Sequence, residues 1–204
     1  MPIPRPKNGR PFSQISMDFI KDLPEIDGYD SLMVIVDQGL TKRVILYPCT
    51  KTIDALGTAN ALLDTVYKQF GLSESIISDR GPQFAAKVFT KLGQLLGITL
   101  KKSTAYHPQT DGGTEQVNQE MEVYFQIFCY NNPETWKQNL ATMEFAHNQR
   151  PHSSRKRTLF HLMMGYEPTT IPTITDKSNI PLVEKRIEDI KRARTEAIAT
   201  HELA

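Results

Sequence analysis

An α/β domain is the fold class the sequence predicts, on two observations. Three strand-like runs joined by short connections precede the first helical pattern, and two later strand-like runs are each followed by another helix. The 204 residues suffice for one compact domain with flanking segments, and a hydrophobic content of 39% is enough for its interior.

Residues 1–12 carry four prolines and three cations, a composition that favours an extended linker over a core element. Ile15, Met17 and Phe19 then alternate with Ser16 and Asp18, the period of a strand with two different faces, so Asp18 points away from the apolar set. After a turn at Asp27-Gly28, the runs Leu32 to Val36 and Val44 to Tyr47 predict two more strands, and the short connections predict an antiparallel meander. Ala55, Ala59, Leu62, Leu63, Val66 and Phe70 recur at helical spacing, with Gly71 as the stop, which predicts a helix facing the core.

Ser75 to Ser78 form a short β-branched strand that delivers Asp79 at its C-terminal end, ahead of the turn Arg80-Gly81-Pro82. Val88, Phe89, Leu92, Leu95 and Leu96 mark a second helix stopped at Gly97, and Ile98 to Leu100 a fifth strand. Thr104 to Gly113 are rich in Pro and Gly and predict a polar loop. From Thr114 the positions Val117, Met121, Tyr124, Phe125 and Phe128 form an apolar helical seam, from which Glu115 faces away together with Asn118, Gln119 and Glu122. Another helix is expected over Pro133 to His147, an irregular strap over residues 158–175, and a charged helix carrying Val183, Ile187 and Ile190 beyond Pro181. The expected organisation is a linker over 1–12, a core over 13–170, and a C-terminal linker and helix over 171–204.

Charge excludes a uniformly basic nucleic-acid binder, since 24 Lys and Arg oppose 23 Asp and Glu for a net charge of +1. DNA contact must then come from local patches, such as Arg5, Lys7 and Arg10, or the acid-free run with Arg155, Lys156 and Arg157. Cys49 and Cys129 lie far apart without paired spacing, so neither a zinc module nor a disulfide framework is indicated. No apolar run approaches the roughly 18 residues needed to span a bilayer, and the N-terminus has no signal-peptide pattern. A soluble, intracellular protein is expected.

Three carboxylates stand where ordered elements meet loops: Asp18 within a strand, Asp79 at a strand end, Glu115 at a helix start. Taken singly, each is most simply a surface acid, or for Glu115 a helix-dipole partner. Taken together they suit phosphoryl transfer, because Mg²⁺ or Mn²⁺ is held by hard oxygen ligands rather than by imidazole or thiolate. Two such ions about 3.5 to 4 Å apart activate the attacking oxygen and stabilise the leaving one.

The text around these acids is more specific. Ser16-Met17-Asp18-Phe19-Ile20, Ser78-Asp79-Arg80-Gly81-Pro82-Gln83-Phe84, and Tyr106-His107-Pro108-Gln109-Thr110-Asp111-Gly112 leading to Glu115-Gln116-Val117-Asn118 resemble the integrases of gypsy-type long-terminal-repeat retrotransposons. The 35 residues between Asp79 and Glu115 match that family's Asp, Asp, Glu signature. The resemblance covers about residues 12–170, including Asn148-Gln149-Arg150-Pro151-His152-Ser153 and Gly165-Tyr166-Glu167-Pro168.

It implies an RNase H-like fold with a five-stranded mixed sheet flanked by helices. It also implies 3′-end processing and strand transfer on DNA by Asp18, Asp79 and Glu115, with Mg²⁺ or Mn²⁺, two ions, as cofactor. DNA ends, target DNA and further copies of the chain are the implied partners, and the nucleus is the implied place of action. Tyr106, His107 and Gln109 are candidate DNA contacts by stacking or hydrogen bonding, Asn118 a candidate for holding the terminal nucleotide, and Arg155, Lys156 and Arg157 candidates for phosphate attraction. Gly113 and Gln116 depart from the family, where Gln and Arg are usual. The zinc and C-terminal modules common in such integrases do not appear, which suggests an excised core. The alternatives are a catalytically silent, domesticated DNA-binding or scaffold protein, and a general RNase H-like nuclease or cut-and-paste transposase.

Overall fold

The computed structural model describes residues 10–78, 90, 93–94, 96–102, 108–151 and 156–168, the side chains of 101–102 and 108–116 excepted. Its contacts divide the chain into two compact units, 1–120 and 121–204.

The first unit is built on a five-stranded sheet in the order β3-β2-β1-β4-β5. Strands β1 (Gln14–Ile20), β2 (Ser31–Asp37) and β3 (Val44–Cys49) pair antiparallel, whereas β4 (Ser75–Ser78) pairs parallel to β1 and β5 (Thr99–Lys102) parallel to β4. This is the mixed sheet expected. Every residue of β2 is buried, consistent with a strand covered on both faces. In β1, Ile15 and Met17 are buried and Asp18 is half-buried.

Two turns hold the meander in register. Between β1 and β2, Ile26 and Tyr29 bridge across Asp27 (φ 51°) and Gly28 (φ 81°), so both central residues take the left-handed conformation that a tight hairpin turn demands. After β2, the fully buried Asp37 carboxylate accepts from the amides of Gly39 (3.0 Å), Leu40 (3.3 Å) and Thr41 (2.9 Å) and from the Thr41 hydroxyl (2.7 Å). A buried carboxylate is tolerated when donors surround it in this way.

A parallel pair needs a crossover, and the chain supplies one between β3 and β4. Helix α1 (Ala55–Leu62) is N-capped by Asp54, which accepts from the Gly57 amide at 2.7 Å. It continues through a π-helical turn, Leu63–Tyr67, into α2 (Lys68–Phe70). The spacing predicted Leu63 on the core face, yet it is 44% exposed while Val66 is buried. Leu63 and Tyr67 instead line an apolar pocket with Val66, Leu96, Ile98 and Leu100, which leaves them partly accessible. Gly71 (φ 78°) ends the run, and the Arg10 guanidinium donates to the carbonyls of Phe70 (2.7 Å) and Leu72. Phe12 is buried and stacks on Phe70 with ring centroids 4.4 Å apart. Arg10 and Phe12, expected in the linker, therefore pack against the first unit.

Of the helix expected over Val88 to Leu96, Thr90, Gly93, Gln94 and Leu96 are helical, and the rest lies outside the described residues. The loop expected over Thr104 to Gly113 is corrected from Pro108 onward, because helix α3 (Pro108–Cys129) begins there. Proline is well placed at a first helical position, where its missing N–H leaves no bond unmade. Gly112 and Gly113 each weaken a helix by only about 1 kcal/mol, which a long apolar seam overcomes.

In the second unit, Met121 and Tyr124 of α3 are buried along with Cys129, as are Trp136, Leu140 and Met143 of α4 (Trp136–Asn148). A 3₁₀ turn, Pro133–Thr135, leads into α4. Tyr124 meets His147 edge to face at 6.4 Å. The strap expected to be irregular contains helix α5 (Leu159–Met164), a second correction. Thr158 caps it by accepting from the His161 amide at 2.9 Å, and Gly165 (φ 81°) closes it in the left-handed conformation. Leu159 and Phe160 give this short helix its buried face, and Phe160 packs on Phe145 at 5.0 Å. The C-terminal helix expected beyond Pro181 lies outside the described residues.

Phe12→Ala is expected to lower the unfolding free energy by about 3–5 kcal/mol, the cost of truncating a buried aromatic. Urea denaturation checks this, and a loss below about 1 kcal/mol would return residues 10–12 to the linker. Burial, aided by the nearby Asp30 charge, pushes the Cys49 thiol from 9.0 up to about 12, with a backbone hydrogen bond at Met33 pulling the other way. The folded state thus holds this proton more tightly than the unfolded chain. Its contribution is complete below pH 9.0 and is lost as the pH rises toward about 12. Denaturation midpoints measured across that window should fall less steeply in Cys49→Ala than in the unaltered chain.

Candidate active site

The site centres on Asp18, the fifth residue of β1. Strand β1 lies between β2 and β4, with Asp18 opposite Val34 on one side and Met17 opposite Ser78 on the other. One Asp18 carboxylate oxygen accepts from the Phe19 amide at 2.8 Å. The other accepts from the side-chain amide of Asn118 at 2.5 Å, a contact between residues 100 apart in sequence.

The β1–β4 register brings the end of β4 beside the strand that bears Asp18. The parallel pair runs Gln14 to Met17 against Ser75 to Ser78, and the chain passes directly from Ser78 to Asp79. The placement of Asp79 itself lies outside the described residues. Helix α3 relates Glu115 to Asn118, since three residues make about one helical turn. Glu115 was expected at a helix start; the helix begins seven residues earlier, which removes the first-turn dipole role considered for it. Its side chain lies outside the described set, as does that of Gln109.

Tyr106, His107 and Arg155 are outside the described residues altogether. Lys156 and Arg157 are exposed, directly before the Pro151–Thr158 bridge, and Lys156 holds a positive φ of 49°. The structure therefore brings Asp18 and Asn118 together and leaves Lys156 and Arg157 exposed in the second unit. Among the described residues no three His, Cys, Asp or Glu side chains converge on a metal position.

Two features escaped the sequence reading. The first is the Asp18–Asn118 bond, whose partners carry no local pattern linking them. The second is a buried polar chain on the face that Ser16 shares with Asp18. There the Gln38 side-chain amide donates to the Ser16 hydroxyl at 2.7 Å, and the Lys42 ammonium donates to the Gln38 side-chain oxygen at 2.7 Å and its carbonyl at 3.1 Å. Burial pulls the Lys42 ammonium below its ordinary value, and the Asp37 charge opposes that shift. Gln38 and Lys42 lie in the turn after β2, where a sequence pattern predicts solvent-facing groups.

Comparison with known proteins places this geometry. Residues 8–108 match the model of the integrase core domain family. The chain is 35% identical over 180 residues to the transposon Tf2-3 and Tf2-4 polyproteins of Schizosaccharomyces pombe, a match that covers 86% of the chain and 13% of each polyprotein. It thus spans about an eighth of the length of these relatives. Among solved structures, the chain is similar to one in a simian T-cell lymphotropic virus intasome bound to a PP2A regulatory subunit, with a TM-score of 0.65, 19% identity, and coverage of 87% of this chain and 62% of that one. It is similar also to the HTLV-2 integrase catalytic core domain solved in complex with magnesium, with a TM-score of 0.59, 18% identity, and coverage of 76% and 97%. These likenesses carry the fold, which is RNase H-like. Over residues 8–108 the chain matches the integrase core domain family in sequence.

Proposed function

We propose that this chain is the catalytic core of a gypsy-type retrotransposon integrase, a metal-dependent polynucleotidyl transferase that processes element DNA ends and joins them to target DNA. The observation that carries the reading is the Asp18–Asn118 hydrogen bond. It ties the strand bearing the first carboxylate to the helix bearing Glu115, while the β1–β4 register pairs Ser78, the residue before Asp79 in sequence, with Met17 of the same strand. A site of two aspartates and one glutamate is a set of hard oxygen donors, which suits Mg²⁺ or Mn²⁺. Asp18, Asp79 and Glu115 would hold the metal, two ions in this reading, and no imidazole or thiolate is required.

Two displacements at phosphorus follow. In the first, a water oxygen forms a bond to the phosphorus of a phosphodiester near the element terminus as the bond to the 3′ oxygen breaks. That oxygen takes up a proton and remains as a 3′ hydroxyl. In the second, this hydroxyl loses its proton and attacks a target phosphodiester, displacing the target's own 3′ oxygen. Bound Mg²⁺ or Mn²⁺ supplies activation of the attacking oxygen and charge neutralisation at the leaving one. Tyr106, His107 and Gln109 contact the DNA beside the carboxylates, and Arg155, Lys156 and Arg157 attract phosphate without reading bases. DNA ends, target DNA and at least a second copy of the chain are the partners, since two ends must be joined to one target. The reaction on chromosomal DNA places the protein in the nucleus.

Asp18→Asn and Glu115→Gln are each expected to lower strand transfer on labelled DNA ends by about a thousandfold or more, the effect of losing several kcal/mol of transition-state stabilisation. Melting without metal should be unchanged or higher, because like charges are relieved. Added Mn²⁺ should stabilise the unaltered chain more than either variant. Full activity in the variants removes these ligands from the mechanism, whereas an inactive unaltered chain that still binds DNA supports a silent scaffold. Neutralising Arg155, Lys156 and Arg157 together should weaken all DNA sequences alike and flatten the log-log salt dependence by roughly 0.9 for each lost phosphate contact. An unchanged slope assigns them to an ordinary solvated surface.

A further inference from the structure

We infer that Asn118 is a positioning residue for the Asp18 carboxylate, setting it for metal binding before DNA arrives, rather than a contact to the terminal nucleotide. The inference rests on the active-site reading above and deepens it.

Three observations support it. The Asn118 amide nitrogen donates to one Asp18 carboxylate oxygen at 2.5 Å, a hydrogen bond to a charged acceptor. The other oxygen of Asp18 is fixed by the Phe19 amide at 2.8 Å, so the two bonds together define the plane of the carboxylate. The Asn118 side-chain oxygen is buried and has no hydrogen-bond partner among the described residues, so that end of the amide is turned away from solvent.

The chemistry follows from what each end can do. An amide nitrogen donates and cannot bind a cation, so Asn118 orients Asp18 without competing for the metal. Groups that orient a ligand in this way typically alter metal affinity by 10- to 100-fold when removed.

The test is Mn²⁺ binding to the purified full chain without DNA, followed by calorimetry and by the paramagnetic signal of free Mn²⁺. Asn118→Leu, close in volume and without a donor, is expected to weaken Mn²⁺ binding by roughly tenfold or more while DNA affinity in excess chelator stays within about twofold. Asn118→Gln, which keeps the amide, should recover part of the loss, a recovery that a purely packing role does not produce. Should the leucine variant melt early without metal, Asn118→Ala gives the same comparison without added bulk. Asp18→Asn serves as the control. If it abolishes Mn²⁺ binding while the leucine and alanine variants bind as the unaltered chain does, or lose DNA affinity instead, the positioning role is overturned and the active-site reading stands. If Asp18→Asn itself binds Mn²⁺ normally, the active-site reading falls.

Discussion

Everything in the site depends on strand β1 being paired on both edges, antiparallel to β2 and parallel to β4. Side chains alternate along a strand, so a slip of one residue would turn Met17 toward the site and carry Asp18 to the opposite face. The register is secured at both ends of β2. At one end the left-handed Asp27-Gly28 turn sets the hairpin, and at the other the buried Asp37 gathers three amides and a hydroxyl into a closed turn. The all-buried β2 supplies the apolar surface against which a polar row on β1 can be held.

On that frame, the functional face of β1 is polar by construction. Ser16 is engaged by Gln38, Gln38 by Lys42, and Asp18 by Asn118 and the Phe19 amide. Polar groups at this depth are costly unless bonded, and each of these bonds also restricts a rotamer. The carboxylate is thus oriented by the fold itself, an arrangement that would reduce the reorganisation needed at the proposed metal site.

The near-zero net charge is consistent with a domain that leaves DNA attraction to local segments. Lys156 and Arg157 are exposed on the second unit, and the chain corresponds to about an eighth of the polyproteins it resembles. A core with a modest field of its own relies on short-range contacts, because exposed charges beyond a Debye length of about 8 Å are screened at physiological salt.

Alternating and helical periods by themselves determined the strands β1 to β4, the antiparallel meander, the helix after β3 and the apolar seam of α3, because these patterns record which face meets the core. Motif spacing determined the three candidate carboxylates, because metal-assisted phosphoryl transfer restricts the residue types allowed. The structure decided what depends on partners distant in sequence. Gly112 and Gly113 oppose a helix locally, yet the chain is helical from Pro108; the strap at 159–164 coils because Leu159 and Phe160 find a buried face; and a π-helical turn at 63–67 interrupts a helix that spacing alone reads as regular. The Asp18–Asn118 bond joins residues 100 apart, and the Ser16–Gln38–Lys42 chain brings a turn to the face of a strand. Neither leaves a periodic trace, because a single hydrogen bond across the fold constrains two positions and no pattern between them.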